Sequence, residues 1–150
     1  MINQSHALRP LAEEREQTLS FDAEYRVLAW VDENLLRMAL ENLIGNAIRY
    51  SPPSSEILVR VGRLPDDLVA LDVLDEGPGI EPDEVDGLFE RFVRGSGDRK
   101  GGSGLGLTIA RWAVEAFGGR IDYERRIGQG SMFRILCPVN EPEREGEAIA

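Results

Sequence analysis

The chain has 150 residues, 42% of them hydrophobic, with 17 Lys+Arg against 27 Asp+Glu and a formal net charge of -10. This composition fits one globular domain with a buried core and excludes disorder along the whole chain. One cysteine and one histidine supply neither an internal disulfide nor the four ligands of a structural zinc site. The acidic surplus argues against a nucleic-acid docking stripe. No apolar run approaches the roughly 18–20 residues that span a bilayer, and the start Met1-Ile2-Asn3-Gln4-Ser5-His6 has no signal-peptide pattern. A cytoplasmic location is expected, without direct membrane contact.

Residues 1–15 read as a linker remnant, residues 16–138 as the folded domain and residues 139–150 as an acidic tail, which holds four Glu and no core pattern. Residues 18–22 and 26–30 predict two short strands separated by a turn. Asp32 can cap a helix running to about Tyr50, because Leu36, Leu40, Leu43 and Ala47 recur at helical spacing. Ser51-Pro52-Pro53 ends it. Residues 57–63 and 68–75, rich in Val, Leu and Ile, predict an antiparallel pair across Pro65-Asp66-Asp67. A short helix is expected over 82–92 and a glycine-rich loop over 93–102. A second long helix starts near Gly104 and stops at Gly118-Gly119. Residues 120–125 and 131–137 are the closing strands. Cys137, Trp30 and Trp112 are read as packing residues.

Three patterns carry chemistry. Asn42, Asn46 and Arg49 form a stripe bordering the apolar face of the first long helix. Two asparagines at this spacing are poor helix formers, while their amide oxygens suit Mg²⁺, which keeps waters and takes its other oxygens from phosphates. Glu41 beside them can accept a proton. Solvated surface asparagines account for the helix equally well. Asp75-Glu76-Gly77-Pro78-Gly79-Ile80 follows a predicted strand, so its carboxylate can accept a hydrogen bond from an exocyclic amine; alone it also fits an ordinary turn. Gly101-Gly102-Ser103-Gly104-Leu105-Gly106-Leu107 opens a helix, whose free N–H groups and dipole favour phosphate. It lacks the Lys-Ser/Thr ending of a P-loop.

In this order the motifs resemble the catalytic and ATP-binding domain of bacterial sensor histidine kinases, within the superfamily that includes gyrase, Hsp90 and MutL ATPases. Residues 41–51 look like the N box, 75–80 like the first glycine box, 88–92 (Leu88-Phe89-Glu90-Arg91-Phe92) like the F box and 102–107 like the second glycine box. Gly128-Gln129-Gly130-Ser131 matches the last, short glycine motif. The resemblance implies a two-layer α/β (α+β) sandwich, the Bergerat-type fold. Its mixed, largely antiparallel sheet of about five strands is covered on one face by about three helices. It further implies that Asp75 binds the adenine amine with Tyr50 near the base, and that Gly77, Gly79 and Ile80 shape the adenine side. Asn46 would hold Mg²⁺ and Asn42 lie near the phosphates, while Glu41 would prepare the attacking histidine. Gly102, Ser103, Gly104, Leu105, Gly106 and Leu107 would offer groups to the phosphates. Arg49 replaces the family's commoner lysine, which puts a direct phosphate contact there in doubt. Arg94 and Lys100 are candidates for phosphate contact, in a stretch, residues 91–100, with four cations and one anion.

The implied activity is transfer of the ATP γ-phosphoryl group to a histidine on a separate dimerisation and phosphoacceptor domain, with a response regulator downstream. His6 lies only 35 residues before Glu41 and is read as a terminal residue, so the chain looks like an excised, monomeric catalytic domain. Two alternatives share the fold: a nucleotide-gated interaction module without phosphoryl transfer, and an anti-sigma-type serine kinase, against which the F box speaks.

Overall fold

The computed structural model describes residues 8–23, 27–85, 87–89 and 106–140. The elements in chain order are α1 (Arg9–Glu14), β1 (Thr18–Ala23), α2 (Glu33–Tyr50), β2 (Glu56–Leu64), β3 (Leu68–Leu74), α3 (Pro82–Val85), α4 (Gly106–Ala116), β4 (Arg120–Arg125) and β5 (Ser131–Pro138). The strands form one sheet in the order β1-β2-β3-β5-β4. β1 runs parallel to β2, and the other three pairings are antiparallel. The expected mixed, largely antiparallel five-stranded sheet with helices on one face is the fold observed.

Strand alternation decides which side the helices cover. Ile57, Val59 and Val61 of β2, Val69, Leu71 and Val73 of β3, and Phe133, Ile135 and Cys137 of β5 share a core with Leu36, Leu40, Leu43, Ile44, Ala47 and Ile48 of α2 and with Ala110, Ala113 and Val114 of α4. Each fully buried Val, Leu or Ile side chain contributes about 1.5–3 kcal/mol. α2 begins where Asp32 Oδ1 accepts a hydrogen bond from the Leu35 N–H at 3.0 Å, the cap its sequence predicts. Alanines at 39, 110 and 113, all buried, line the core where α2 and α4 pack together.

At four places the described residues add to or change the expectations. Among residues 27–30 no strand forms; Trp30 N–H donates to the Pro138 carbonyl at 2.7 Å, and β1 has β2 as its neighbour in the sheet. Arg26 lies outside the described residues. Within residues 1–15, read as a linker remnant, the described residues form α1, which has Pro10 in its first turn and whose Ala12 is buried in the core. The helix expected over 82–92 is confined, among the described residues, to Pro82–Val85, with residues 87–89 in a turn. α4 starts at Gly106 within the described residues, and the residues before it, 90–105, lie outside them.

Candidate functional site

Asp75 closes β3. Its side chain is buried, with 6% of the residue exposed, and a carboxylate in such a place needs hydrogen bonds to stay. It has two: Oδ1 accepts from the Gly77 N–H at 2.9 Å and from the Ser131 N–H at 3.1 Å. Both bonds fall on Oδ1, so among the described residues Oδ2 is left to accept from something else. Burial raises the carboxyl above its ordinary pKa, and the Gly77 and Ser131 bonds and the charge of Arg126 hold the rise back.

The loop after Asp75 is gripped by the turn between β4 and β5. The Asp75 N–H donates to the Ser131 carbonyl at 2.9 Å, Arg126 donates to the Asp75 carbonyl at 2.7 Å, and Gln129 to the Glu76 carbonyl at 3.0 Å. The Ile80 N–H donates to the Tyr123 hydroxyl at 2.8 Å, which lies 3.0 Å from Ser131 Oγ. Gly130 has φ +112°, and a Cβ there would come 2.0 Å from the Asp75 carbonyl oxygen. Only glycine permits that approach. The end of α2 reaches the same loop: a Cβ on Gly77 would stand 3.0 Å from the Tyr50 carbonyl oxygen.

On α2, Glu41, Asn42, Asn46 and Tyr50 are half-buried and Arg49 is exposed, so the polar stripe borders the core as its spacing predicts. Asn42 Nδ2 donates to the Met38 carbonyl at 2.8 Å. A Cβ added to Gly106 would lie 3.3 Å from Asn42 Oδ1, so the amide oxygen faces the first turn of α4. Gly106 and Leu107 are half-buried there. Arg49 holds its guanidinium 6.0 Å from the centre of the Tyr50 ring. The structure therefore brings together two clusters: Asn42 with the start of α4, and the end of α2 with the Asp75 loop. Gly79, half-buried, sits under the Arg125 side chain. Arg94, Lys100, Gly102, Ser103, Gly104 and Leu105 lie outside the described residues, as do Phe92 and His6.

Several supporting residues were missed in the sequence. Thr108 Oγ1 donates to the Phe89 carbonyl at 3.1 Å, tying the first turn of α4 to the F-box segment, whose Phe89 ring meets Phe133 edge-on at 6.1 Å. Tyr123 on β4 and Arg126 and Gln129 in the turn after it act on partners 43 to 53 residues away in sequence, beyond the reach of local pattern; the Gly128-Gln129-Gly130-Ser131 motif was the available signal. Trp112 is exposed at 61%, a surface residue. Cys137 is buried and its thiol is pushed up to about 12 by burial, so it is no nucleophile. Among the described residues, no three His, Cys, Asp or Glu side chains cluster as a metal site.

Residues 31–141 match the family of histidine kinase-, DNA gyrase B-, and HSP90-like ATPases. The sensor histidine kinase AruS of Pseudomonas aeruginosa is 46% identical over 109 residues, 67% of this chain and 11% of that protein. The swarming motility regulation sensor protein RssA of Serratia marcescens is 36% identical over 140 residues, 92% of this chain and 30% of that protein. The chain thus spans only a minor part of these curated relatives. Among solved structures, a mycobacterial sensor histidine kinase, MprB, superposes with a TM-score of 0.77 at 32% identity, covering 91% of this chain and 92% of that one. Full-length ShkA in complex with AMPPNP superposes with a TM-score of 0.80 at 27% identity, covering 95% of this chain and 30% of that one. With its Asp75 loop, its asparagine-bearing α2 and these likenesses, the chain belongs to the histidine kinase-, DNA gyrase B- and HSP90-like ATPase family, as an ATP-binding domain of the sensor histidine kinase kind.

Proposed function

We propose that this domain binds ATP together with Mg²⁺ and passes the γ-phosphoryl group to a histidine on a separate phosphoacceptor domain of its parent protein, with a response regulator downstream and the reaction in the cytoplasm. The observation that carries the reading is Asp75, whose Oδ1 is fully engaged by two N–H groups while Oδ2 takes no bond among the described residues. An adenine exocyclic amine is a donor that fits such an acceptor. The Tyr50 end of α2 flanks the same loop.

Triphosphate would run from that pocket toward Asn42 and the start of α4, where helix N–H groups attract anions without side-chain cations. Asn46, one turn beyond Asn42, would hold Mg²⁺ with the Asn42 amide near the phosphates, since a neutral oxygen leaves the charge to be balanced by phosphates; the ion would supply charge neutralisation for phosphoryl transfer. Glu41 would take the proton from the attacking histidine nitrogen as its bond to the γ-phosphorus forms and the bond to the ADP oxygen breaks. Arg49, exposed and laid against Tyr50, would add charge at longer range. Arg94 and Lys100 would contact phosphate, and Gly102, Gly104, Leu105 and Gly106 would offer backbone groups to it.

The test is transfer from γ-labelled ATP to a supplied helical hairpin bearing the parent's acceptor histidine. Acid-labile label on the hairpin supports the proposal. ATP binding without transfer would favour a nucleotide-gated interaction module, and acid-stable label a hydroxyl acceptor.

A further inference from the structure

The arginine at the base of the β4–β5 turn has no part in the reading above. Arg126 is half-buried, and it closes its own turn through its N–H to the Gly130 carbonyl at 3.1 Å. Its guanidinium then leaves the turn to donate to the Asp75 carbonyl at 2.7 Å, 51 residues away in the chain. The neighbouring Gln129 grips the next carbonyl, that of Glu76, at 3.0 Å. Two consecutive peptides of the recognition loop are thus fixed by two side chains of one turn. A cation at this place also acts on the carboxylate of the residue whose carbonyl it binds.

We propose that Arg126 is a positioning residue for base recognition: by donating to the Asp75 carbonyl it fixes the Asp75 peptide and sets a positive charge beside the Asp75 carboxylate, so that Oδ2 is presented as a strong acceptor. The inference rests on Asp75 being the base contact. The charges that act on Asp75 are Arg126 from the turn and Glu76 beside it in the loop, and they oppose each other, Arg126 favouring the carboxylate and Glu76 the acid. Burial already favours the neutral acid, so among the described residues removing Arg126 leaves the Gly77 and Ser131 N–H groups to sustain the charge.

Two conservative variants separate charge from hydrogen bonding. Arg126→Gln keeps a donor and loses the charge; Arg126→Lys keeps the charge and loses the fork geometry. ATP affinity is measured by calorimetry for each variant and the wild type between about pH 5 and 8, spanning the range above ordinary carboxylate titration. For wild type, affinity falls on the acid side as Asp75 protonates. The acid limb of Arg126→Gln moves to higher pH, so that at its midpoint, where half of Asp75 is protonated, affinity is about twofold below the wild-type plateau, and the deficit grows below that pH. That of Arg126→Lys stays with the wild type. A merely structural role lowers the melting temperature and displaces all curves without moving the limb, and three coincident limbs overturn the inference. Asp75→Asn is run alongside: if it binds ATP like the wild type, the base contact itself is wrong; if it loses ATP while the Arg126 limbs coincide, only the role of Arg126 falls.

Discussion

Asp75 presents an unusual combination for a carboxylate: it is buried, bonded on one oxygen and raised in pKa by desolvation, which the Gly77 and Ser131 bonds and Arg126 only partly offset. A raised folded pKa means that ionising Asp75 works against folding. The cost is absent below the ordinary carboxylate range and sets in as pH rises from there through the folded pKa. Asparagine at this position keeps an oxygen for the Gly77 and Ser131 N–H groups. Asp75→Asn is therefore expected to equal or exceed the wild type in stability at neutral pH, and to lose the acid-side difference when chemical denaturation is followed against pH. A variant less stable than wild type at every pH contradicts this account of the site. Gly130→Ala behaves oppositely, because its Cβ would overlap the Asp75 carbonyl; we expect a loss of about 3 kcal/mol from strain and overpacking, measured by the denaturation midpoint, and a value near zero would mean that the turn relaxes freely.

The sheet and α2 carry the site on supports of different kinds. On the face turned away from the helices, Asp22, Arg60, Asp72, Arg134 and Asp122 stand in register across all five strands with alternating sign. Asp72 is buried and takes Arg60 at 3.0 Å and Arg134 at 2.7 Å. Burial raises its pKa, but the two arginines outweigh it and the carboxyl stays below its ordinary value. The stabilisation is thus complete above the ordinary carboxylate pKa and lost as pH falls through the lower folded value. Because both arginines are part-exposed, Asp72→Asn is expected to cost only about 1–2 kcal/mol at neutral pH, and to remove part of the acid destabilisation seen in the wild type. A cost independent of pH would point to packing instead. The far end of α2 is capped from another element: Gln17 Nε2 donates to the Ile48 and Ser51 carbonyls at 3.0 and 3.1 Å, and Arg15 donates to the Ser51 carbonyl at 2.9 Å. These bonds satisfy carbonyls that the helix cannot pair internally, close to Tyr50. Gln17→Ala takes the Gln17 bond from the Ile48 carbonyl in a buried place, while Arg15 still donates to Ser51, and is expected to cost about 1–3 kcal/mol, read from thermal unfolding.

At the scale of the molecule, what could be read in advance was what is local. The spacing of Leu36, Leu40, Leu43 and Ala47 and the Asp32 cap define α2, because period and capping are properties of one stretch of chain. Asp75 stood out because a carboxylate followed by Gly-Pro-Gly suggests a strand end built to bind. The parallel pairing of β1 with β2, the irregular path of residues 27–31 and the hold of Arg126 and Tyr123 on the Asp75 loop depend on segments far apart in sequence, and no short pattern encodes them. Net charge is silent for the same reason: -10 for the whole chain says nothing of a recognition loop fixed by Arg126 and neutral N–H groups. The central claim is that Asp75 reads the adenine of ATP, and calorimetric titration of ATP, with GTP as control, into wild type and Asp75→Asn tests it most directly. The account predicts that wild type binds ATP and discriminates against GTP, and that Asp75→Asn, still folded, loses ATP by about a hundredfold; equal ATP affinity in the two proteins would contradict it.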